Sequence, residues 1–201
     1  MIRKIIFASF NKNKAKEVQG MLNSNKISLL SLADLKHQHI PEAVEDGLSF
    51  EENALLKARH YYNILKLPVI SDDSGLVVPA LNDEPGIYSA RYAGADATDK
   101  QNNDLLLKNL KDFPEDKRKA YFQAVIVYKD ESLEKIFTGT CKGIIADEPK
   151  GNYGFGYDPL FYLPSLGKTY AQLSIEEKGQ ISHRGMAVKG LKEFLKNILP
   201  K

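Results

Sequence analysis

The chain has a single cysteine, Cys141, and no tryptophan among its 201 residues. One thiol cannot form an intramolecular disulfide, and without a second cysteine there is no CxxC metal pair. A lone thiol fits a reducing compartment. Cys141 stands in no nucleophile signature, so a buried structural thiol is expected. Long hydrophobic runs are also missing. No stretch approaches the roughly 18 apolar residues that a membrane span needs, and the apolar part of MIRKIIFASFNKNK is too short for a secretory leader. A cytoplasmic protein with no membrane partner is expected. Nor is there an excess of charge of one sign: 28 basic and 26 acidic residues leave +2. That argues against a surface devoted to coating DNA, but not against a local basic pocket. Repeats, low-complexity tracts and Pro/Ser-rich linkers are lacking too, so a single domain over residues 1–201 is expected, with room for two lobes.

What is present is an ordinary globular composition, 43% hydrophobic and 27% charged. Ile2 to Ser9 reads as a buried strand, and Lys14 to Leu22 as a helix with Ala15, Val18, Met21 and Leu22 on one face. Ile27 to Leu32 is a second strand. Ser49-Phe-Glu-Glu52 is a capping box opening a helix that carries Ala54, Leu55, Ala58, Tyr62 and Leu65. Pro68 ends it, and Val69 to Ser71 enters the sheet. Thr98 with Gln101 and Ser174 with Glu177 mark two more helix starts. Ala120 to Tyr128 and Leu133 to Thr140 read as a hairpin, which Ile144 to Ala146 extends. Asp147 to Gly167 reads as irregular, and Met186 to Leu199 as an amphipathic helix. Interleaved strands and helices with a hairpin predict an α/β fold with a mixed sheet.

Four stretches carry chemistry. In VISDDSGLVV, Asp72 and Asp73 interrupt an apolar run. They read equally as a tight turn and as oxygen ligands for Mg²⁺, with Glu45 of VEDGLSF as a third. A cation would relieve the repulsion between adjacent carboxylates. SFNKNK, Ser9 to Lys14, stands at a strand-to-helix junction, where free N–H groups and a helix dipole favour an anion and Lys14 adds a point charge. It is not a Walker A loop. GNYGFGYDPLF, from Gly151, interleaves glycines with aromatics that can stack on a base. EKGQISHRG gathers Lys178, His183 and Arg184, donors suited to a carbonyl or phosphate oxygen. His37, His39 and His60 lack metal-ligand spacing, and Arg91 of PGIYSARYAG is open to a structural role, pairing with an acid. Anion site, acid cluster, aromatic platform and polar donors together are what handling a nucleoside triphosphate requires.

Ser9-x-Asn11-x-x-Lys14, EDGLSFEENALLKA, SDDSGL, PGIYSARYAG, GFGYDPLF and SHRG, in that order, resemble the inosine triphosphate pyrophosphatase family, from about residue 5 to about residue 195. The resemblance implies a two-lobed α/β fold, with a long mixed sheet flanked by helices and an active-site cleft between the lobes. It also implies a Mg²⁺-dependent homodimer that hydrolyses nonstandard purine nucleoside triphosphates (ITP, dITP, XTP) to monophosphate and pyrophosphate, without nucleic acid as a partner. By position it makes Ser9, Phe10, Asn11, Lys12, Asn13 and Lys14 the triphosphate loop and Asp73 the proton acceptor and a metal ligand, with Glu45 and Asp72 in the metal shell. Ser74 is similar to a substrate-contacting serine. Phe155, Gly156, Tyr157 and Asp158 resemble the segment against the purine, and Lys178, His183 and Arg184 its base-reading group. Ser9 replaces the commoner threonine and keeps the hydroxyl. Asn13 replaces a frequent glycine and tolerates the left-handed conformation.

Overall fold

A computed structural model gives the fold over residues 3–22, 26–38 and 40–198. Ile2, His39 and Leu199, named above, lie outside these. The first strand, β1 (Arg3–Phe7), leads into α1 (Lys12–Leu22) and β2 (Ile27–Ser31). Then come α2 (Phe50–Leu65), β3 (Val69–Val77) and α3 (Asp99–Asn109). The hairpin strands are β4 (Lys119–Lys129) and β5 (Glu134–Ile145). Short strands β6 (Phe161–Leu163) and β7 (Lys168–Thr169) precede α4 (Ile175–Ile181) and α5 (His183–Ile198). The α/β expectation holds. Seven strands form one open mixed sheet in the order β2-β1-β3-β4-β5-β6-β7. Its β2-β1-β3 part is parallel and its β5-β6-β7 part antiparallel.

The helix starts follow the capping chemistry. Ser49 Oγ accepts from Glu52 N at 3.1 Å, while Glu52 Oε2 reaches back past the cap to Leu48 N at 2.6 Å. Thr98 with Gln101 and Ser174 with Glu177 form reciprocal boxes. α2 ends on Lys66 in the left-handed conformation, two residues before Pro68. The hairpin turn is tied by Asp130, whose Oδ1 accepts from Ser132 N and Leu133 N.

Four expectations need correction. α5 begins at His183, three residues ahead of Met186, and β6 lies within the stretch expected to be irregular. The buried face of α2 is Phe50, Asn53, Ala54, Lys57, Ala58 and Tyr61, turned from the expected stripe because a lysine and an asparagine occupy core-facing positions. Most consequential, Asp72 and Asp73 are not in a turn and do not end a strand. They sit in the middle of β3, a nine-residue strand buried along most of its length.

The chain divides into two compact units, one of Met1–Asp73, Ala124–Gly139 and Arg184–Lys201, the other of Ser74–Gln123 and Thr140–His183. In the first, α1 and α5 bury Val18, Leu22, Val188, Leu191 and Leu195 against Ile5, Phe7 and Ile70 of the sheet. Ile6, Ala8 and Val69 face the other way, packing with Tyr61 of α2. The second unit has its own core of Leu106, Leu110, Phe122, Tyr157, Phe161 and Tyr170. Each such apolar side chain, fully buried, contributes about 1.5–3 kcal/mol. Cys141 belongs to that core, and burial pushes its thiol pKa up, as expected of a structural cysteine.

Candidate active site

The order β2-β1-β3 reverses the direction of winding at β1, and ligands of open α/β sheets gather beyond the strand ends at such a point. β1 pairs with β3 only as far as Phe7 opposite Ile70, with Ala8 N donating to Ile70 O at 2.7 Å. Beyond it, β1 gives way to the Ser9–Lys14 loop while β3 runs on through Asp72 and Asp73. This is how an acid pair comes to stand inside a strand: its parallel neighbour has ended.

Side chains alternate across a strand, so Asp72 and Asp73 point to opposite faces. Asp73 shares a face with Ser71, whose Oγ donates to Ala54 O of α2 at 2.6 Å. On that face Lys57 Nζ donates to Asp73 Oδ1 at 2.8 Å and to Glu45 Oε2 at 2.7 Å. Glu45 is held there by its loop, which α2 grips at three points. Ala43 N donates to Tyr61 Oη at 3.2 Å, Gly47 N to Asn53 Oδ1 at 2.9 Å, and Leu48 N to Glu52 Oε2. Burial raises the Asp73 pKa, and although Lys57 and Lys14 oppose the shift, the net direction is upward. For Lys57 burial favours the neutral amine, but the charges of Asp73 and Glu45 overcome it and hold the lysine protonated.

Asp72 faces the other side. Its Oδ2 accepts from Arg184 Nη2 at 3.2 Å and lies 3.0 Å from Lys14 Nζ. Arg184, 2% exposed, also donates through Nη1 to Glu17 Oε2 at 2.6 Å. Burial pushes the Asp72 carboxyl up, but the charges of Arg184 and Lys14 more than reverse this and hold it well below the usual carboxylate range. In the loop itself Ser9 Oγ accepts from Asn11 N at 3.1 Å, and Asn11 Oδ1 caps the N–H groups of Asn13 and Lys14 at 2.9 and 3.1 Å. Two N–H groups expected to be open to an anion are thus already satisfied. Phe10 is 39% exposed and Lys12 exposed.

The residues expected as a metal shell separate. Glu45 and Asp73 place one oxygen each within hydrogen-bond distance of a single cationic nitrogen, so the pair suits a small hard cation that takes one or two carboxylates plus water and phosphate oxygens. Asp72 is not with them, since strand alternation turns it toward Arg184. Among the described residues no group of three His, Cys, Asp or Glu is placed to hold a metal.

The second unit holds another cluster. Lys178 Nζ donates to Asp158 Oδ2 at 2.5 Å and lies 5.0 Å from the Phe155 ring centre and 5.4 Å from that of Tyr170. His183, 3% exposed, stacks on Phe122 with ring centres 4.6 Å apart. Asp158 Oδ2 also accepts from Phe155 N at 3.0 Å, and Tyr157 Oη donates to Ser89 O at 2.9 Å. Ser74, half-buried, follows Asp73 on β3. Arg184 does not belong to this cluster; its guanidinium is engaged by Glu17 and Asp72 in the first unit. Arg91, open to pairing with an acid, stacks its guanidinium over Tyr88 at 5.2 Å.

Gly154 has φ +77°, and a Cβ there would land on the Asp158 carboxylate. Gly154→Ala is expected to lower stability by about 2–3 kcal/mol through backbone strain and the clash. At roughly 2–4 °C per kcal/mol that is a fall of about 5–10 °C in the melting midpoint, read by calorimetry.

Sequence patterns alone missed Glu17 and Lys57. Both left a signal, a charged residue at a core-facing helical position: Glu17 beside Val18, and Lys57 beside Ala58.

A sequence profile of the Ham1 family matches residues 5–194. The dITP/XTP pyrophosphatase of Shigella flexneri is 46% identical over 199 residues, 98% of this chain and all of that one. Among solved structures, the Staphylococcus aureus Ham1 protein superposes with a TM-score of 0.86 at 43% identity, over 97% of this chain and 99% of that one. A HAM1 protein from Coxiella burnetii gives 0.87 at 39% identity, over 98% and 100%.

Proposed function

This chain belongs to the Ham1 family, and as such we propose that it is a nucleoside triphosphate pyrophosphatase. Its substrates are dITP, XTP and ITP, its products the monophosphate and pyrophosphate, and its role the removal of deaminated purines before they enter DNA or RNA. It acts in the cytoplasm as a homodimer. The observation that most supports this chemistry is that Glu45 and Asp73, carried by separate elements, are brought together on the Lys57 ammonium, with Lys14 acting on the same Asp73 carboxylate.

Water attacks the α-phosphorus, the bond from that phosphorus to the α,β-bridging oxygen breaks, and pyrophosphate leaves with the bond's electrons. Asp73 takes the water's proton, a task suited to a carboxylate whose pKa is raised. Lys57 keeps Asp73 and Glu45 in place and limits their mutual repulsion. Lys14 offers its ammonium to the phosphates, and Arg184 holds Asp72, which in turn sets where Lys14 sits. Glu45 and Asp73 would hold Mg²⁺, which supplies charge neutralisation on the phosphates. The Phe155–Asp158 segment, Lys178 and His183 take the purine, Phe155 by its ring face and Asp158, Lys178 and His183 by hydrogen bonds, with Ser74 and the Ser9–Lys14 loop on the sugar-phosphate portion. Donors aimed at a 6-oxo group are left opposite an amino group when adenine binds, which rejects ATP.

A panel of dITP, ITP, XTP, GTP and ATP with Mg²⁺, assayed separately for pyrophosphate and orthophosphate, tests this. Pyrophosphate is expected from dITP, ITP and XTP, with at least about a hundredfold less from ATP and none after chelation of Mg²⁺. Orthophosphate as first product would instead mark a phosphatase cutting the terminal phosphate.

A further inference from the structure

α3 begins with the reciprocal Thr98–Gln101 cap, which fixes the rotation of its first turn. Asp99 and Asn103 are four residues apart and so lie on one face of that turn. Both reach the same peptide neighbourhood in another part of the unit. Asp99 Oδ2 accepts from Gly156 N at 2.7 Å, and Asn103 Nδ2 donates to Gly156 O at 3.0 Å. Gly156 stands between Phe155 and Tyr157 with φ +61°, a conformation that a free loop would leave readily. Its neighbours are tied elsewhere, Phe155 N to Asp158 and Tyr157 Oη to Ser89 O. Phe155 is also held by Asp158 N, which donates to Phe155 O at 3.2 Å, and the two contacts from α3 fix the residue that follows it.

The other polar atoms of these side chains do not explain their presence as stabilisers. Asn103 Oδ1 is buried without a hydrogen-bond partner among the described residues. That is a cost which an apolar residue would avoid. Asp99 is exposed, and an acid in a first helical turn needs no contact with a distant loop to favour the helix dipole. What the pair does in common is to hold Gly156 from both of its backbone polar groups.

We infer that Asp99 and Asn103 are positioning residues for base binding: by clamping the backbone of Gly156 they present the Phe155 ring at the angle the purine requires. The inference rests on the proposed function, because it takes the Phe155–Asp158 segment as the purine platform. The two side chains touch no reacting atom. They act on binding of the base in ground and transition state alike, which appears in KM and not in kcat.

Steady-state hydrolysis of dITP with Mg²⁺ by the full chain tests it. Asp99→Ala is expected to raise KM about tenfold, the effect of losing one charge-assisted hydrogen bond, with kcat within about twofold and a melting midpoint lowered by no more than about 5 °C. Asp99→Asn keeps an acceptor for Gly156 N and is expected to restore KM to within about twofold. Asn103→Leu is expected to raise KM about threefold, since the freed carbonyl can turn to water. A KM unchanged in both Asp99→Ala and Asn103→Leu, while the wild type is active, overturns this inference alone. So does a joint loss of kcat and melting midpoint that Asp99→Asn fails to rescue, which marks a merely structural role. A wild type that releases no pyrophosphate from dITP, ITP or XTP overturns the proposed function and this inference with it.

Discussion

Asp73→Asn is expected to slow pyrophosphate release from dITP by about 10²–10⁴-fold, the range for removing a positioned general base. The asparagine keeps the shape of the side chain and an acceptor for Lys57 Nζ, now 2.8 Å from Asp73 Oδ1, so the loop and strand stay in place. It cannot take the proton of the attacking water. Stability should not fall with activity. The folded protein raises the pKa of Asp73, so this group favours folding below its ordinary value of 3.8 and loses that contribution as pH rises through the folded value. At pH 7 the ionised, buried Asp73 is therefore a cost, which offsets the ion pair that Lys57 loses, so the urea midpoint should move far less than the rate. The same upward shift predicts how the wild-type rate responds to acid: kcat/KM falls as pH is lowered through a value above 3.8, where the base takes up its proton. Turnover near the wild-type level in Asp73→Asn would remove Asp73 from the role and move attention to Glu45.

Arg184→Met is expected to cost about 3–5 kcal/mol of stability, a fall of roughly 10–15 °C in melting midpoint for a chain of this size. The reason lies in what is left behind. Glu17 and Asp72 are buried, and both now satisfy their charge on the guanidinium. Removing the cation leaves two buried carboxylates without the guanidinium charge between them, while Lys14 still faces Asp72. Combining Arg184→Met with Glu17→Gln and Asp72→Asn should recover part of the loss, because neutral groups carry a smaller desolvation cost than unpaired charges. The sign of the pH response follows from Asp72. Its folded pKa is depressed, so its contribution is fully present above the ordinary 3.8 and is lost as pH falls toward the folded value. Wild-type stability should thus drop below about pH 4, and that acid limb should flatten in Asp72→Asn. A melting midpoint for Arg184→Met within about 2 °C of the wild type would show that the three-residue network contributes little.

Adjacent residues of one strand thus have opposite thermodynamic characters. Asp72 is stabilised as an anion and holds the fold together; Asp73 is destabilised as an anion and is available for chemistry. Two aspartates in sequence give no hint of this. The pattern VISDDSGLVV offered a choice between a turn and a metal site because Asp, Ser and Gly carry turn chemistry. β3 runs through them, and strand alternation sends the two carboxylates to opposite faces.

Much was legible in the residues. The three capped helices, the hairpin around Asp130 and the β-branched and aliphatic strands follow from local chemistry, because their signals span a few residues. The order of six motifs points to the family. The sequence by itself determined the α/β class, the boundaries of most elements and the inventory of charged, aromatic and glycine residues available to a site. Only the tertiary structure decided how that inventory is paired. Lys57 meets Glu45 and Asp73, Arg184 meets Glu17 and Asp72 across separations of 167 and 112 residues, and Asp99 meets Gly156 across 57. Such pairings are not encoded in local propensity. They arise because burying the apolar faces of α1, α2 and α5 on the sheet carries charged side chains into the interior with them, where a charge must find a partner.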